Sequence, residues 1–508
     1  MMMASAECCF SVTIDGRTER VPSPGERLAA HAIFRTVREI PLSPVPDKLT
    51  VWRASTPWQT VRSMLGLVIV CFFLAQIAVL IVAGYIDGDM NGTLGPLDPV
   101  ATFFGGLCIS PFLMLFFYLR RPKLTHTIQA YPDQNGTNMH ALSGGMVVNS
   151  PVPTGVQHHL FRSTAPLEMP RPKHLWLLFV LGVGVSTVCL LPLTLAGANV
   201  LTLILAVTVV LPAWLIGFST PVFAWWSITS RHLGIQISRR DAEWMLAAGM
   251  LSAVPAIVIN SIFSPILINA MGLNPFASGT LGEGLILFVS APVGEEIAKA
   301  LAVLALSHLI VSPKHGFYVG STVGLGFALL ENATYISMAL MSDYSSIAYF
   351  FTATLRGLSS IPGHALWTGL SGYAIGFWLS KGNTLPSLSG TAYLSEDADA
   401  RWVLFDSKGR ILPESNWSTE PSPAAKKLLS RHANHAWPMP TTISAGLLLA
   451  IGGHALWNGS SWGVGVALAE NDSTLGFLLQ MAWLVLMVLF LWFCILRWLP
   501  TIVLRPRE

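Results

Sequence analysis

From Met64 to Ile86 the chain reads "MLGLVIVCFFLAQIAVLIVAGYI", with no charged residue. A helix rises about 1.5 Å per residue, so a run of about 20 apolar residues crosses about 30 Å of hydrocarbon. About ten such runs follow one another, near 63–86, 99–119, 175–196, 200–228, 242–271, 282–310, 316–341, 345–381, 441–465 and 474–499. Composition agrees: the 508 residues are 52% hydrophobic and 11% charged, whereas soluble proteins carry about 25% charged residues. The expected fold is an all-α polytopic membrane protein, a bundle of about ten transmembrane helices in the lipid bilayer. The 345–381 run is too long for one straight crossing, and Pro362 is the expected break.

A net charge of +3 gives no case for nucleic acid as a partner. Of the six cysteines, Cys8 and Cys9 are adjacent, and Cys71, Cys108, Cys189 and Cys494 lie in apolar runs. Without a CxxC pair, neither a disulfide framework nor a thiolate zinc site is expected. Arg17, Arg20, Arg27, Arg35 and Arg38 interrupt the start of the chain, which is unlike a cleavable signal.

Connecting segments alternate between basic and non-basic. The N-terminal arm, the segment from Arg120 to Lys173, the turn at Arg231–Arg240, the surroundings of Lys314, the stretch from Lys381 to Arg431 and the end from Arg497 to Arg507 are basic. The connections at Asp87–Asp98, Gly197–Val200, Asn274, Asp343 and Glu470–Asp472 are not. The positive-inside rule then places both termini in the cytoplasm. The expected organisation is a cytoplasmic arm over 1–62, accessory helices over 63–240 with a cytoplasmic loop at 120–173, a membrane core over 241–465 with a cytoplasmic loop at 382–440, and a last helix with a basic end over 466–508. The two polar loops, rich in Pro, Gly, Ser and Asn, read as loops or small lids.

Most spans are bland, but four consecutive ones are not. The sixth contains "APVGEEIAKALAVL" with Glu295, Glu296 and Lys299; the seventh contains Phe327, Glu331 and Asn332. The eighth carries Arg356 and His364, the ninth His454 and Asn458, and the pentapeptide GHALW occurs in both, at Gly363–Trp367 and Gly453–Trp457. A charged side chain at mid-membrane costs about 2.5–3.5 kcal/mol on insertion scales, so such residues pair, face water or do chemistry. At about 1.5 Å per residue, Glu295, Glu331, His364 and His454 all lie roughly 20–25 Å from the cytoplasmic ends of their helices. These helices alternate in direction, so the shared depth points to one polar site. The i,i+4 spacings Glu295–Lys299, Phe327–Glu331 and His454–Asn458 each put two side chains on one face. Pro292 is expected to kink the sixth helix beside its glutamates.

Taken singly, each feature has an ordinary reading. Glu295–Lys299 suits a structural ion pair, Glu331–Asn332 and each histidine suit helix–helix hydrogen bonds, and the two tryptophans suit packing. Together, the carboxylates and imidazoles suit activation of water. In one scheme a glutamate is the general base, and histidines with an asparagine bind an oxyanion. In another, His364, His454 and Glu331 hold a zinc ion, with Glu295 or Glu296 as base. Both schemes stay open, and both end in peptide hydrolysis. Arg356 is expected to serve folding or substrate binding. There is no HExxH, and no serine nucleophile motif or paired intramembrane aspartates stand out.

The ordered set Glu295-Glu296-x-x-Lys299, Phe327-x-x-x-Glu331-Asn332, His364 and His454-x-x-x-Asn458 resembles the PrsW family of intramembrane proteases. That family is related to CAAX-processing and bacteriocin-processing membrane proteases. The resemblance covers roughly residues 240–465. Where the wider superfamily has histidine four residues after the phenylalanine, this chain has Glu331, as on the PrsW side. The resemblance implies endoproteolysis of membrane-anchored proteins, signalling regulators among them, in a bacterial plasma membrane, by Glu295, Glu296, Glu331, His364 and His454 with Lys299, Asn332, Arg356 and Asn458 in support. Family members are commonly classed as metalloproteases, and a metal-free glutamate mechanism is argued for relatives. The rival from another class is a proton-coupled transporter, because Glu, Lys and His clusters also build proton relays.

Overall fold

The computed structural model describes residues 57–89, 91–120, 124–141, 147–162, 167–195, 204, 206–235, 237–342, 345–382, 423–469 and 474–504. Most of the expected N-terminal arm, residues 383–422 of the 382–440 segment and the basic end beyond residue 504 lie outside the described residues. The helices are α1 (Pro57–Ile86), α2 (Pro99–Arg120), α3 (Pro172–Leu195), α4 (Leu211–Leu233) and α5 (Arg239–Val258, extended by Ser264–Ala270). Then come α6 (Ala291–Ala305, preceded by Leu281–Leu285), α7 (Pro313–Leu340), α8 (Ser345–Leu358) and α9 (Ser360–Ser380). The short α10 (Pro423–Ser430) precedes α11 (Ile443–Ala469) and α12 (Thr474–Leu504).

Among the described residues, seven helical stretches are long and apolar enough to cross a membrane: Pro57–Ile86, Pro99–Leu119, Pro172–Leu191, Thr208–Leu233, Arg239–Ala270, Pro313–Leu340 and Leu475–Leu504. The other three expected spans correspond to α6, the α8–α9 pair and α11. These hold most of the candidate site residues. The 345–381 run is indeed broken, but at Ser359, the residue between α8 and α9. Pro362 sits in the first turn of α9, where its missing N–H costs no helical hydrogen bond. The 120–173 segment holds more than a loop. Strands β1 (Leu124–Ala141) and β2 (Val147–Arg162) form an antiparallel ribbon, in register from Leu124 opposite Arg162 to Pro132 opposite Thr154 and irregular beyond it.

Three prolines share one local solution. Pro212, Pro265 and Pro292 each follow, by two residues, the end of a π-helical turn, at Ala206–Val210, Ile259–Phe263 and Ile286–Ser290. A proline ring clashes with the carbonyl one turn earlier, and a wide turn relieves that clash. The expected irregularity at Pro292 therefore takes the form of a wide turn immediately before the two glutamates.

Helix α7 is the centre of the bundle, packed on α9, α5, α4, α8 and α6. It starts at Ser312, whose hydroxyl accepts from the His315 N–H, with Pro313 in the first turn. Gly316, Gly320 and Gly324 form a row one turn apart along it. A Cβ on them would come within 2.2, 2.3 and 2.2 Å of the carbonyl oxygens of Gly372, Thr368 and His364 on α9. Small residues at this spacing let two membrane helices touch backbone to backbone. The row ends at His364, so this backbone-to-backbone contact also fixes the height of that histidine relative to Glu331.

Candidate active site

The polar side chains of α6, α7, α8, α9 and α11 meet in one connected chain. On α6, Glu295, Glu296 and Lys299 are buried, and Lys299 is 0% exposed. The Lys299 ammonium donates to Glu296 Oε1 at 2.8 Å, to Glu295 Oε2 at 3.3 Å and to His364 Nδ1 at 2.9 Å. The Phe327 ring closes another side of it, with its centroid 3.7 Å from Nζ. An ammonium only donates, so His364 Nδ1 accepts and its proton resides on Nε2. That nitrogen then donates to Glu331 Oε2 at 2.7 Å.

Glu331 is held from its other side by Arg356, whose Nη2 lies 2.8 Å from the same oxygen. Arg356 also donates through Nε to Asn332 Oδ1 and through Nη2 to Ser360 Oγ at 3.0 Å, and lies over the Tyr335 ring at 3.9 Å. The arginine therefore joins α7, α8 and the start of α9 at the break between the last two. His454 arrives from α11 and donates through Nδ1 to Glu296 Oε1 at 3.1 Å. Its Nε2 faces Glu295 Oε2 at 3.8 Å. His364 and His454 are neighbours, with ring centroids 5.1 Å apart and nearly perpendicular planes.

The neighbouring glutamates differ. Glu296 is fully enclosed; Oε1 takes Lys299 and His454, and Oε2 takes the Thr368 hydroxyl at 3.2 Å. Glu295 is 8% exposed, and its contacts are longer: Lys299 at 3.3 Å, and the Asn260 amide at 3.4 Å on Oε1. Asn260 is oriented in turn by Ser290 Oγ at 3.1 Å, so residues of two π-helical turns brace this carboxylate.

The structure thus brings together Glu295, Glu296, Lys299, Glu331, His364 and His454, with Asn332 and Arg356 at one edge. Asn458 lies one turn from His454 and is half-buried, outside the connected chain. Four residues without a signal in the sequence touch the chain: Asn260, Thr368, Ser360 and Tyr335. Trp367 packs, as expected, but on the site itself. Its ring stacks on His454 at 4.8 Å and 15°. Gly453 leaves the room for this, since a Cβ there would come within 2.6 Å of the Trp367 indole nitrogen. One GHALW copy thus accommodates the other. Trp457 lies away from the polar chain and lines an apolar cavity of about 190 Å³ with Trp367, Trp437 and Trp498.

This is an integral membrane protein with a carboxylate–histidine site enclosed among its helices. Residues 240–393 match the family described as PrsW family intramembrane metalloprotease, and the match supports a protease. No curated protein and no solved structure matches the chain. The matched segment holds every residue of the connected chain except His454, which α11 supplies from beyond its end.

Glu295, His364 and His454 are of the types that hold a metal, and their ligand atoms lie within 4.8 Å of one another. Glu331, expected in that set, belongs instead to Arg356 and to the far nitrogen of His364. The lone pairs do not fit a metal in this arrangement. Both His364 nitrogens are engaged, one by an ammonium, and only the Nε2 of His454 remains free of a close partner.

Proposed function

We propose that this protease cuts membrane-anchored proteins within the bilayer, with Glu295 as the general base for a water molecule. The observation that carries the reading is the pair of acceptors at Glu295 Oε2 and His454 Nε2, 3.8 Å apart. One water can hydrogen-bond to both. Glu295 takes the water's proton as its oxygen attacks the scissile carbonyl carbon. The C–N bond then breaks, and the proton passes from Glu295 to the departing amine. The products are a new carboxylate and a new amine. The Lys299 ammonium beside Glu295 offsets the negative charge that develops on the carbonyl oxygen.

The remaining residues have supporting roles. Glu296 anchors Lys299 and His454, and His364 links Lys299 to Glu331. Arg356 holds Glu331, and Asn332 and Ser360 hold Arg356. Asn458 stands one turn from His454 as a further donor. The competing reading of the same donors is a zinc ion on Glu295, His364 and His454, favoured by their mutual proximity. The alternation of basic segments supports cytoplasmic termini, and the family supports a bacterial plasma membrane and membrane-anchored signalling regulators as substrates.

The test is reconstitution in liposomes with a panel of single-span proteins, with proton flux recorded in parallel. Cuts mapping inside the spans support the reading. Intact test proteins together with a proton flux that depends on Glu295 would replace it with a transporter.

A further inference from the structure

We propose that the Lys299 ammonium stands where a metal ion would stand, and that this chain works without one. The inference rests on the reading of Glu295 as base and extends it to the cation of the site. An ammonium has three protons and no lone pair. Lys299 gives one proton each to Glu295, Glu296 and His364, at 3.3, 2.8 and 2.9 Å. Two of those three acceptors are the ones a metal would need. The Phe327 ring covers the ammonium, and no part of the side chain reaches solvent. The cation is therefore built in and saturated.

The second ring nitrogen of His364 offers no alternative, because it donates its proton to Glu331, which Arg356 holds in turn. His454 spends Nδ1 on Glu296. A structural or catalytic zinc ion takes at least three protein ligands. The chain offers one nitrogen and one loosely held carboxylate as long as Lys299 is in place. Removing the ammonium frees His364 Nδ1 and Glu295 together, and with His454 Nε2 these make a three-ligand set. Lys299 is thus both the charge that serves the site and the group that keeps a divalent ion out.

The test is metal content, read without any substrate. Wild type, Lys299→Met, and Lys299→Met combined with His454→Ala are purified in detergent, titrated with zinc sulfate and passed over a desalting column. Zinc and protein are then quantified. The expected result is wild type with far less than one zinc per chain, about one zinc per chain in Lys299→Met, and loss of that zinc in the double variant. About one zinc per chain in wild type overturns the proposal, and so does a folded Lys299→Met protein that takes up none. Should Lys299→Met not fold, Lys299→Gln serves in its place, and the wild-type ratio still decides the first point. Cleavage is assayed separately. Wild type that holds zinc and cuts defeats this inference alone; a zinc-free wild type that cuts nothing defeats the protease reading alone.

Discussion

The polar chain has two ends, and they are built differently. At one end Lys299 holds Glu295 and Glu296 with its own side chain fully enclosed. At the other end Arg356 holds Glu331, and these side chains are 16% and 21% exposed. His364 joins the ends, one nitrogen to each. Both ends pair a carboxylate with a cation, yet they meet different demands. Enclosed charges need near-complete pairing, because desolvation is severe and the loss of one partner strands the other. A pair at the edge of the helices tolerates more slack and orients its neighbour. The difference fits the proposed reading, in which the enclosed end is the reaction centre and the open end its brace. Variants at the two ends should therefore differ in kind as well as in size.

The largest effect is expected for Glu295→Gln. General bases contribute about 10²–10⁴-fold, so cleavage should fall by that amount. Thermal unfolding in detergent should change little, because the partners of Glu295 are distant ones and the amide retains an acceptor. Wild-type rates in this variant would remove Glu295 from the chemistry. Next comes Glu296→Gln, which leaves Lys299 and His454 without their shared carboxylate. Breaking a buried pair costs about 3–5 kcal/mol, so unfolding should occur at markedly lower temperature, with activity lost as well. If Glu295→Gln destabilised the protein more than Glu296→Gln, the assignment of the two glutamates would be reversed.

At the open end, Arg356→Lys should slow cleavage by about tenfold, since an ammonium cannot reproduce the planar fork that reaches Glu331, Asn332 and Ser360. Expression and unfolding should stay near wild type. A loss as large as that of Glu295→Gln would dissolve the distinction between centre and brace. The smallest effect is expected for Trp367→Phe, which keeps an aromatic face on His454 with less contact area. A fall of about two- to fivefold in turnover is expected, since an aromatic pair contributes about 0.5–1.5 kcal/mol. Turnover equal to wild type would return Trp367 to plain packing.

Much of this site was legible in the sequence because intramembrane charges are expensive and therefore conspicuous. Glu295, Glu296, Lys299, Glu331, Arg356, His364 and His454 each interrupt an apolar run, and the shared depth of Glu295, Glu331, His364 and His454 on four consecutive spans points to one site. Residues that are cheap to bury were missed. Thr368 and Ser360 can satisfy their hydroxyls within a helix, so nothing in the sequence flags them. Asn260 is a lone amide in an apolar run, and only its distance to Glu295 reveals its place. The glycine row at 316, 320 and 324 did carry a readable signal, the small residue every fourth position. It sets the contact between α7 and α9 that fixes His364 against Glu331.

The division between Glu295 and Glu296 lay beyond sequence reasoning. Consecutive helical residues point about 100° apart, and which direction is enclosed depends on neighbours far along the chain. The same limit applies to the metal set. Glu331 and Glu295 are equally good ligands on paper, and only the position of Arg356 separates them. The ribbon of strands Leu124–Ala141 and Val147–Arg162 was hidden for another reason, since its Pro, Gly and Asn content reads as loop.

The most direct measurement is mass spectrometry of a single-span test protein incubated in liposomes with wild type or with Glu295→Gln, in water enriched in oxygen-18. With a water-activating Glu295, wild type yields fragments cut within the span, each new carboxyl end carrying the heavy oxygen, and Glu295→Gln yields none. Labelled fragments produced equally by both proteins would contradict the assignment of Glu295 as the base.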